Sequence, residues 1–269
     1  MFPKRLLFLV SWVFTSWAVV PGPVSAEWFL DLYGGGGFIE RNDVTLSKKL
    51  NLVDEGGLPS DLGTATLRLR AALRDVRADD FAAGGLRFGY WLESVPYVGF
   101  ALDAFIFELG IPRQTVVADA NASLDVEIED RTFHLDVGTR LPVRLPSFSF
   151  PTTAITSSPS VMLRWPVLVN ADFPKGRLQP YFTTGPSLLF TDTDPDVSLG
   201  VKVGAGLAWQ FHRHFALFTE YRFTHFSPEV EKGSLTLIDQ SGVRVKIRDP
   251  KVETDLNTHY VIAGISFRF

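Results

Sequence analysis

Two side chains in this sequence have the types and spacing of acyl-transfer chemistry: His225 and Ser227, one residue apart. A serine hydroxyl becomes a useful nucleophile when an imidazole takes its proton. The imidazole in turn needs a carboxylate to orient it and to stabilise its charged form. Glu229, Glu231 and Asp239 follow closely enough to supply that acid. The plainer reading makes His225 and Ser227 interfacial polar residues at a strand end, continuing a face that carries Tyr221 and Phe223. Both readings stand at this point.

Other ionisable groups offer less. His212 and His214 flank Arg213 and could chelate a metal, but turn histidines are ordinarily solvated. Asp192, Asp194 and Asp196 alternate at calcium-like spacing without the rest of a ligand loop. The Gly34–Gly37 run leads into no helix, so it cannot act as a phosphate cradle. Cysteine is absent, which removes disulfide and thiolate chemistry. Neither a cofactor nor a bound metal is expected.

A larger set of charges shares one property: Asp31, Arg87, Asp103, Arg164, Lys202, Glu220, Arg222 and Arg268 each interrupt an apolar segment at the opposite parity. That is the period-two signature of strands with two unlike faces. Trp28, Leu30 and Leu32 oppose Asp31, and Leu86, Phe88, Tyr90 and Leu92 oppose Arg87. Val98, Phe100, Leu102, Ala104 and Ile106 oppose Asp103, while Val161, Leu163, Trp165 and Val167 oppose Arg164. Phe182, Leu188 and Phe190 form the outward set of a fifth strand. Leu199 to Phe211 alternates most cleanly, with Lys202 on its other face; Phe215, Leu217, Tyr221 and Phe223 oppose Glu220 and Arg222. The eighth strand ends the chain: Val261, Ala263, Ile265, Phe267 and Phe269 oppose Gly264, Ser266 and Arg268, with Ile262 the one apolar intruder.

Eight such strands predict an all-β, antiparallel, up-and-down transmembrane β-barrel, greasy outside and charged within. A soluble barrel would have the reverse polarity. Eight strands leave an interior that side chains just fill, so the eight inward charges are expected to pair as a network that plugs the bore and fixes the register. A charged channel is the alternative. Trp28, Trp91, Trp165, Tyr181, Trp209 and Phe269 fall near strand ends, where aromatic girdles anchor barrels at the membrane interfaces. Glycines 34–37 would make room for bulky neighbours in a narrow barrel.

Connections alternate between short turns and long external loops. About 45 residues follow the first strand, about 50 the third and about 30 the seventh; Thr191 to Ser198 is the brief exception. Within the long links, Asp43–Lys49 and Ala65–Val76 alternate well enough to extend strands one and two, although a helix over Ala65–Val76 reads nearly as well. Thr132–Val143 is expected to form a hairpin, and the Ser/Pro/Thr-rich Leu145–Pro159 a mobile loop tip.

Residues 1–26 read as a signal peptide. Lys4 and Arg5 precede the apolar run Leu6–Val20, and Val24-Ser25-Ala26 is a small-residue cleavage site. Residues 27–269 are then the barrel domain, exported to the periplasm and inserted in the outer membrane of a Gram-negative envelope. Losing Lys4 and Arg5 moves the formal charge from -4 to -6, an acidic balance that argues against a nucleic-acid partner. After the leader no stretch of 18 residues is apolar enough for a membrane helix.

The segments Gly84-Gly85-Leu86-Arg87-Phe88-Gly89-Tyr90-Trp91, Gly176-Arg177-Leu178-Gln179-Pro180-Tyr181, Phe218-Thr219-Glu220-Tyr221-Arg222-Phe223 and Gly264-Ile265-Ser266-Phe267-Arg268-Phe269 together resemble the small outer-membrane β-barrel proteins of OmpA/OmpX type. The resemblance covers nearly the whole mature chain. It implies outer-membrane lipid and lipopolysaccharide as surroundings, delivery by the barrel-assembly machinery through the C-terminal strand, and a monomer. It implies a porin-like fold without fixing an activity, and no peptidoglycan-binding domain follows. A non-enzymatic barrel with a structural or loop-mediated surface-binding role is the favoured reading; a narrow channel or transport helper is one alternative. Separately, His225-Phe226-Ser227 resembles the His-x-Ser of lipid A deacylases, which would make Ser227 the nucleophile, His225 the base and Glu229 a candidate acid. That family's motif continues Asn-Ala, where this chain has Pro228 and Glu229.

Overall fold

The computed structural model describes residues 27–51, 64–128, 131–145, 148–191, 194–230, 234–239, 244–248 and 251–269. The expected leader and Glu231 lie outside them. The strands, in chain order, are β1 (Glu27–Ile39), β2 (Asn42–Asn51), β3 (Thr64–Val76), β4 (Phe81–Trp91), β5 (Val98–Ile111), β6 (Gln114–Ile128), β7 (Arg131–Leu145), β8 (Phe148–Arg164), β9 (Leu178–Thr191), β10 (Asp194–His212), β11 (Phe215–Phe226), β12 (Glu229–Val230), β13 (Ser234–Asp239), β14 (Arg244–Arg248), β15 (Lys251–Thr254) and β16 (Leu256–Arg268).

Eight of them close into a barrel in the order β1-β16-β11-β10-β9-β8-β5-β4. Every neighbouring pair is antiparallel, and β1 meets β16 from Phe29↔Arg268 to Ile39↔Thr258, so no edge is left open. The wall has the polarity of a transmembrane barrel. Leu32, Leu86, Phe100, Val161, Val201, Leu207, Leu217 and Val261 are exposed, while Asp31, Arg87, Asp103, Arg164, Lys202, Glu220 and Arg222 are buried. In β1 the apolar outer face runs from Trp28 to Phe38, ten steps along the strand, which at ~3.3 Å per step and the usual tilt makes a band ~25 Å tall. That matches the hydrocarbon of an outer membrane.

Gly35 and Gly37 point inward across from bulky partners. A Cβ on Gly37 would lie 2.4 Å from the Cβ of Tyr260, and one on Gly35 would lie 2.0 Å from the carbonyl oxygen of Val261. Glycine is required there by close approach of the two strands.

The long links are themselves β-structure. They form a second sheet in the order β12-β15-β2-β3-β6-β7-β13-β14, above the end of the barrel that bears β1's Ile39. Three residues separate β12 from β13, although these strands stand six places apart in that sheet. A link from Val230 to Ser234 spans at most ~14 Å, whereas six flat inter-strand spacings would need ~29 Å. The upper sheet therefore curls so that its two margins approach.

The structure revises two expectations for this region and decides a third in favour of the strand. Ala65–Val76 belongs to a strand, β3, because its partners β2 and β6 pair with it along its length. Thr132–Val143 is one strand of a hairpin with β6, rather than a hairpin in itself. Residues 148–159 form the upper half of β8, paired with β5 from Ile111↔Phe148 to Leu102↔Pro159, and are no loop tip. The β8–β9 ladder lapses between Ser157↔Leu188 and Val161↔Thr184, where Pro159 and Pro186 have no N–H to donate. The hydroxyls of Ser158 and Ser187 bridge that gap from inside at 2.6 Å.

Candidate functional site

The barrel's register assembles the charged interior. Asp31 lies opposite Arg87, which lies opposite Asp103, so an acid-base-acid row crosses β1, β4 and β5. Lys202, Glu220 and Arg222 come from the far wall on β10 and β11. Arg87 donates from Nε to Asp31 at 2.7 Å and from Nη1 to Glu220 at 2.6 Å. Arg222 donates from Nε to Glu220 at 2.7 Å and grips Asp103 with both Nη atoms, at 2.8 and 3.2 Å. Lys202 reaches the same carboxylate at 3.2 Å. Three acids thus meet three bases.

Tyrosines complete the network. Tyr181 donates its hydroxyl proton to Glu220 at 2.8 Å, and Tyr33 donates to Asp103. The guanidinium of Arg222 sits over the rings of Tyr33, Phe105 and Tyr260, and that of Arg87 over Tyr181 and Phe218. Such stacking lets arginine lose water without losing favourable contacts.

A second cluster fills the turn end of the bore. Glu27 accepts from Arg164 at 2.8 Å and from Arg268 at 3.3 Å, with Lys175 at 3.2 Å from the outside. Gln179 accepts from Arg268 at 2.8 Å. Arg164 lies 4.3 Å over the ring of Trp91. Between the two clusters remains a cavity of only about 20 Å³, room for roughly one water.

All eight charges expected inside therefore face inward. Sequence reasoning missed Glu27, Tyr33 and Gln179, although Glu27 and Tyr33 share the parity of Asp31 and carried a readable signal. Two interfacial assignments are corrected. Trp91 and Tyr181 are buried at 4% and 5% exposure and belong to the interior, because they share the parity of Arg87 and of Thr183. Trp28, Trp165, Trp209 and Phe269 are outward and exposed near the short-turn end.

The acyl-transfer pair is not assembled. Ser227 donates its proton to Asp255 at 2.8 Å, and His225 Nδ1 faces the Asn257 side-chain oxygen at 2.7 Å. Glu229 and Asp239 fall where only the backbone is described. Instead, the outer rim carries a polar chain that sequence reasoning did not find. Tyr221 hydroxyl meets His259 Nδ1 at 2.6 Å, His259 Nε2 meets Glu40 at 2.9 Å, and Asn257 donates to Glu40 at 3.1 Å. These residues are brought together from β11, β16 and the end of β1, far apart in sequence. His214 Nδ1 pairs with the carbonyl of Arg268, and His212 Nδ1 accepts from the His214 backbone. Among the described residues no three His, Asp or Glu side chains gather as a metal site. Asp192 is outside the described residues, and only the backbone is described for Asp194 and Asp196.

No protein-family model matches this sequence, and no curated protein matches it. Solved structures similar to it include the outer membrane protein OprG from Pseudomonas aeruginosa, with 14% identity over 92% of this chain and 98% of that one, and a TM-score of 0.46. Neisserial surface protein A aligns at 12% identity over 88% and 97%, with a TM-score of 0.34. The translocator domain of autotransporter NalP from Neisseria meningitidis aligns at 10% identity over 98% and 95%, with a TM-score of 0.29. Likenesses this distant decide nothing beyond the fold, and the closed eight-stranded antiparallel barrel rests on its own strand register.

Proposed function

We propose that this chain is a non-enzymatic outer-membrane barrel, sealed through its bore, that serves as a rigid anchor for a surface-binding upper β-structure. One observation carries the reading: the middle of the bore is filled by three acids and three bases, mutually hydrogen-bonded, and the cavity between them and the turn-end cluster is only about 20 Å³. Packing of this kind supports a sealed bore, and an unpaired ion there would cost several kcal/mol. The outward apolar band of ~25 Å suits an outer-membrane bilayer. Export through the leader, insertion by the assembly machinery through β16, contact with lipopolysaccharide and a monomeric state belong to the same proposal. The test is planar-bilayer recording of the folded protein. Silence at ordinary voltages is expected; steady ohmic current through the folded protein would overturn the sealed-anchor reading.

A further inference from the structure

The upper sheet has two unlike faces. One carries charges in cross-strand pairs, with Arg68 on Asp125 at 2.8 Å and both Arg74 and Arg140 on Asp119 at 3.0 and 3.3 Å. The other is apolar. Register places Leu46, Ala71 and Ala120 in one cross-strand row on that face, and Lys48, Leu69 and Ala122 in the next. The row below has Leu73 beside Ala118, and the row above has Leu67 and Leu124. Alanines where the adjoining rows carry leucines leave a cavity of about 190 Å³. On its barrel side Leu46, Leu73, Val116 and Val143 pack together as a buried cluster. Towards its mouth stand Val137, Leu135 and Phe133, each more than half exposed.

We infer that this concave apolar face binds a single-chain anionic amphiphile, its alkyl tail in the alanine-lined cavity and its head group against Lys48. The inference rests on reading the upper strands as the ligand-binding part of the protein. A 150 Å³ apolar cavity accommodates benzene, so about 190 Å³ takes a chain of roughly eight carbons. Of the two charged residues that line the cavity, register puts Lys48 on this face and Arg70 on the other. Lys48 already has an interaction of its own, and its ammonium carries three donors, so it can take a carboxylate as well.

The test uses the folded chain in lipid nanodiscs, with carboxyl-labelled octanoate followed by NMR and empty nanodiscs as the baseline for partition into lipid. Saturable binding above that baseline is expected, with affinity rising about fourfold per methylene from pentanoate to octanoate and levelling beyond it. Ala120→Leu fills the cavity and should abolish saturable binding while the protein still inserts and stays electrically silent. Lys48→Gln should remove the preference for octanoate over octanol. Binding no greater than in empty nanodiscs, or equal binding by wild type and Ala120→Leu, overturns the site. Equal octanol and octanoate affinity in wild type overturns the anionic part. None of these failures would open the bore, whereas ohmic current would refute the sealed anchor without touching the cavity.

Discussion

Replacing Glu220 by glutamine asks the most of the interior. In the native barrel its two carboxylate oxygens accept from Arg87 Nη1, Arg222 Nε and the Tyr181 hydroxyl, at 2.6, 2.7 and 2.8 Å. The amide keeps one acceptor but turns an NH₂ towards arginines that can only donate. Arg87, Arg222 and Lys202 then face Asp31 and Asp103 alone, so one positive charge is left without a counter-ion at near-zero exposure. Breaking a buried pair in this way costs about 3–5 kcal/mol. At a urea slope of ~3 kcal/mol/M the unfolding midpoint should fall by roughly 1–2 M. The assay is urea unfolding of the vesicle-inserted protein, followed by tryptophan fluorescence and by the folded band on unheated gels. Adding Arg222→Met in the same molecule should recover part of the loss, because it removes the orphaned charge. A loss under about 1 kcal/mol would mean that water enters the bore and screens these groups, and the sealed interior would be refuted.

Other consequences are separable. Gly35→Ala should destabilise the barrel by about 1–3 kcal/mol, since its Cβ would strike backbone of β16; Gly34→Ala, which meets nothing nearer than 3.7 Å, should be tolerated, and equal stabilities on folded-band gels would contradict the inward-outward assignment. His134, on the charged face of the upper sheet, has its pKa raised from 6.5 by hydrogen bonds to Asp125 and Asp136. Its folded pKa lies above the unfolded one, so its contribution is complete below pH 6.5 and is lost as pH rises through the raised value. An NMR titration should give a midpoint above 6.5 that falls back in Asp125→Asn; a midpoint at or below 6.5 in the wild type would contradict the pairing. Arg164→Met should loosen the turn end by removing one of the partners of Glu27 and uncovering Trp91, read as a red-shifted emission from Trp91, and an unchanged spectrum would argue against that contact.

The barrel was legible in the sequence because period-two alternation with inward charges survives wherever one face meets lipid. Leu199–Phe211 and Val261–Phe269 declare themselves for that reason. The upper sheet was harder. Its faces differ just as sharply, but Ala71, Ala120 and Ala122 weaken the apolar signal, and Ala65–Val76 also fits a helical period. Residues 148–159 were misread because proline and serine usually mark turns; in β8 the serines bridge a stretch where Pro159 and Pro186 cannot donate. Trp91 and Tyr181 were misassigned by residue type, when the parity of their own strands placed them inside. The Tyr221–His259–Glu40 chain could not be read from sequence at all, since only barrel closure brings β1, β11 and β16 side by side.

The polarity of the wall is tested most directly by single-tryptophan variants of the folded protein in brominated-lipid vesicles, each keeping one of Trp28, Trp91, Trp165 and Trp209. Strong quenching of Trp165 and Trp209 by the lipid bromines, with Trp91 spared, is the expected result. Quenching of Trp91 as strong as that of Trp209, or fluorescence from all four that responds only to aqueous acrylamide, would contradict a lipid-facing apolar wall around a sealed, ion-paired centre.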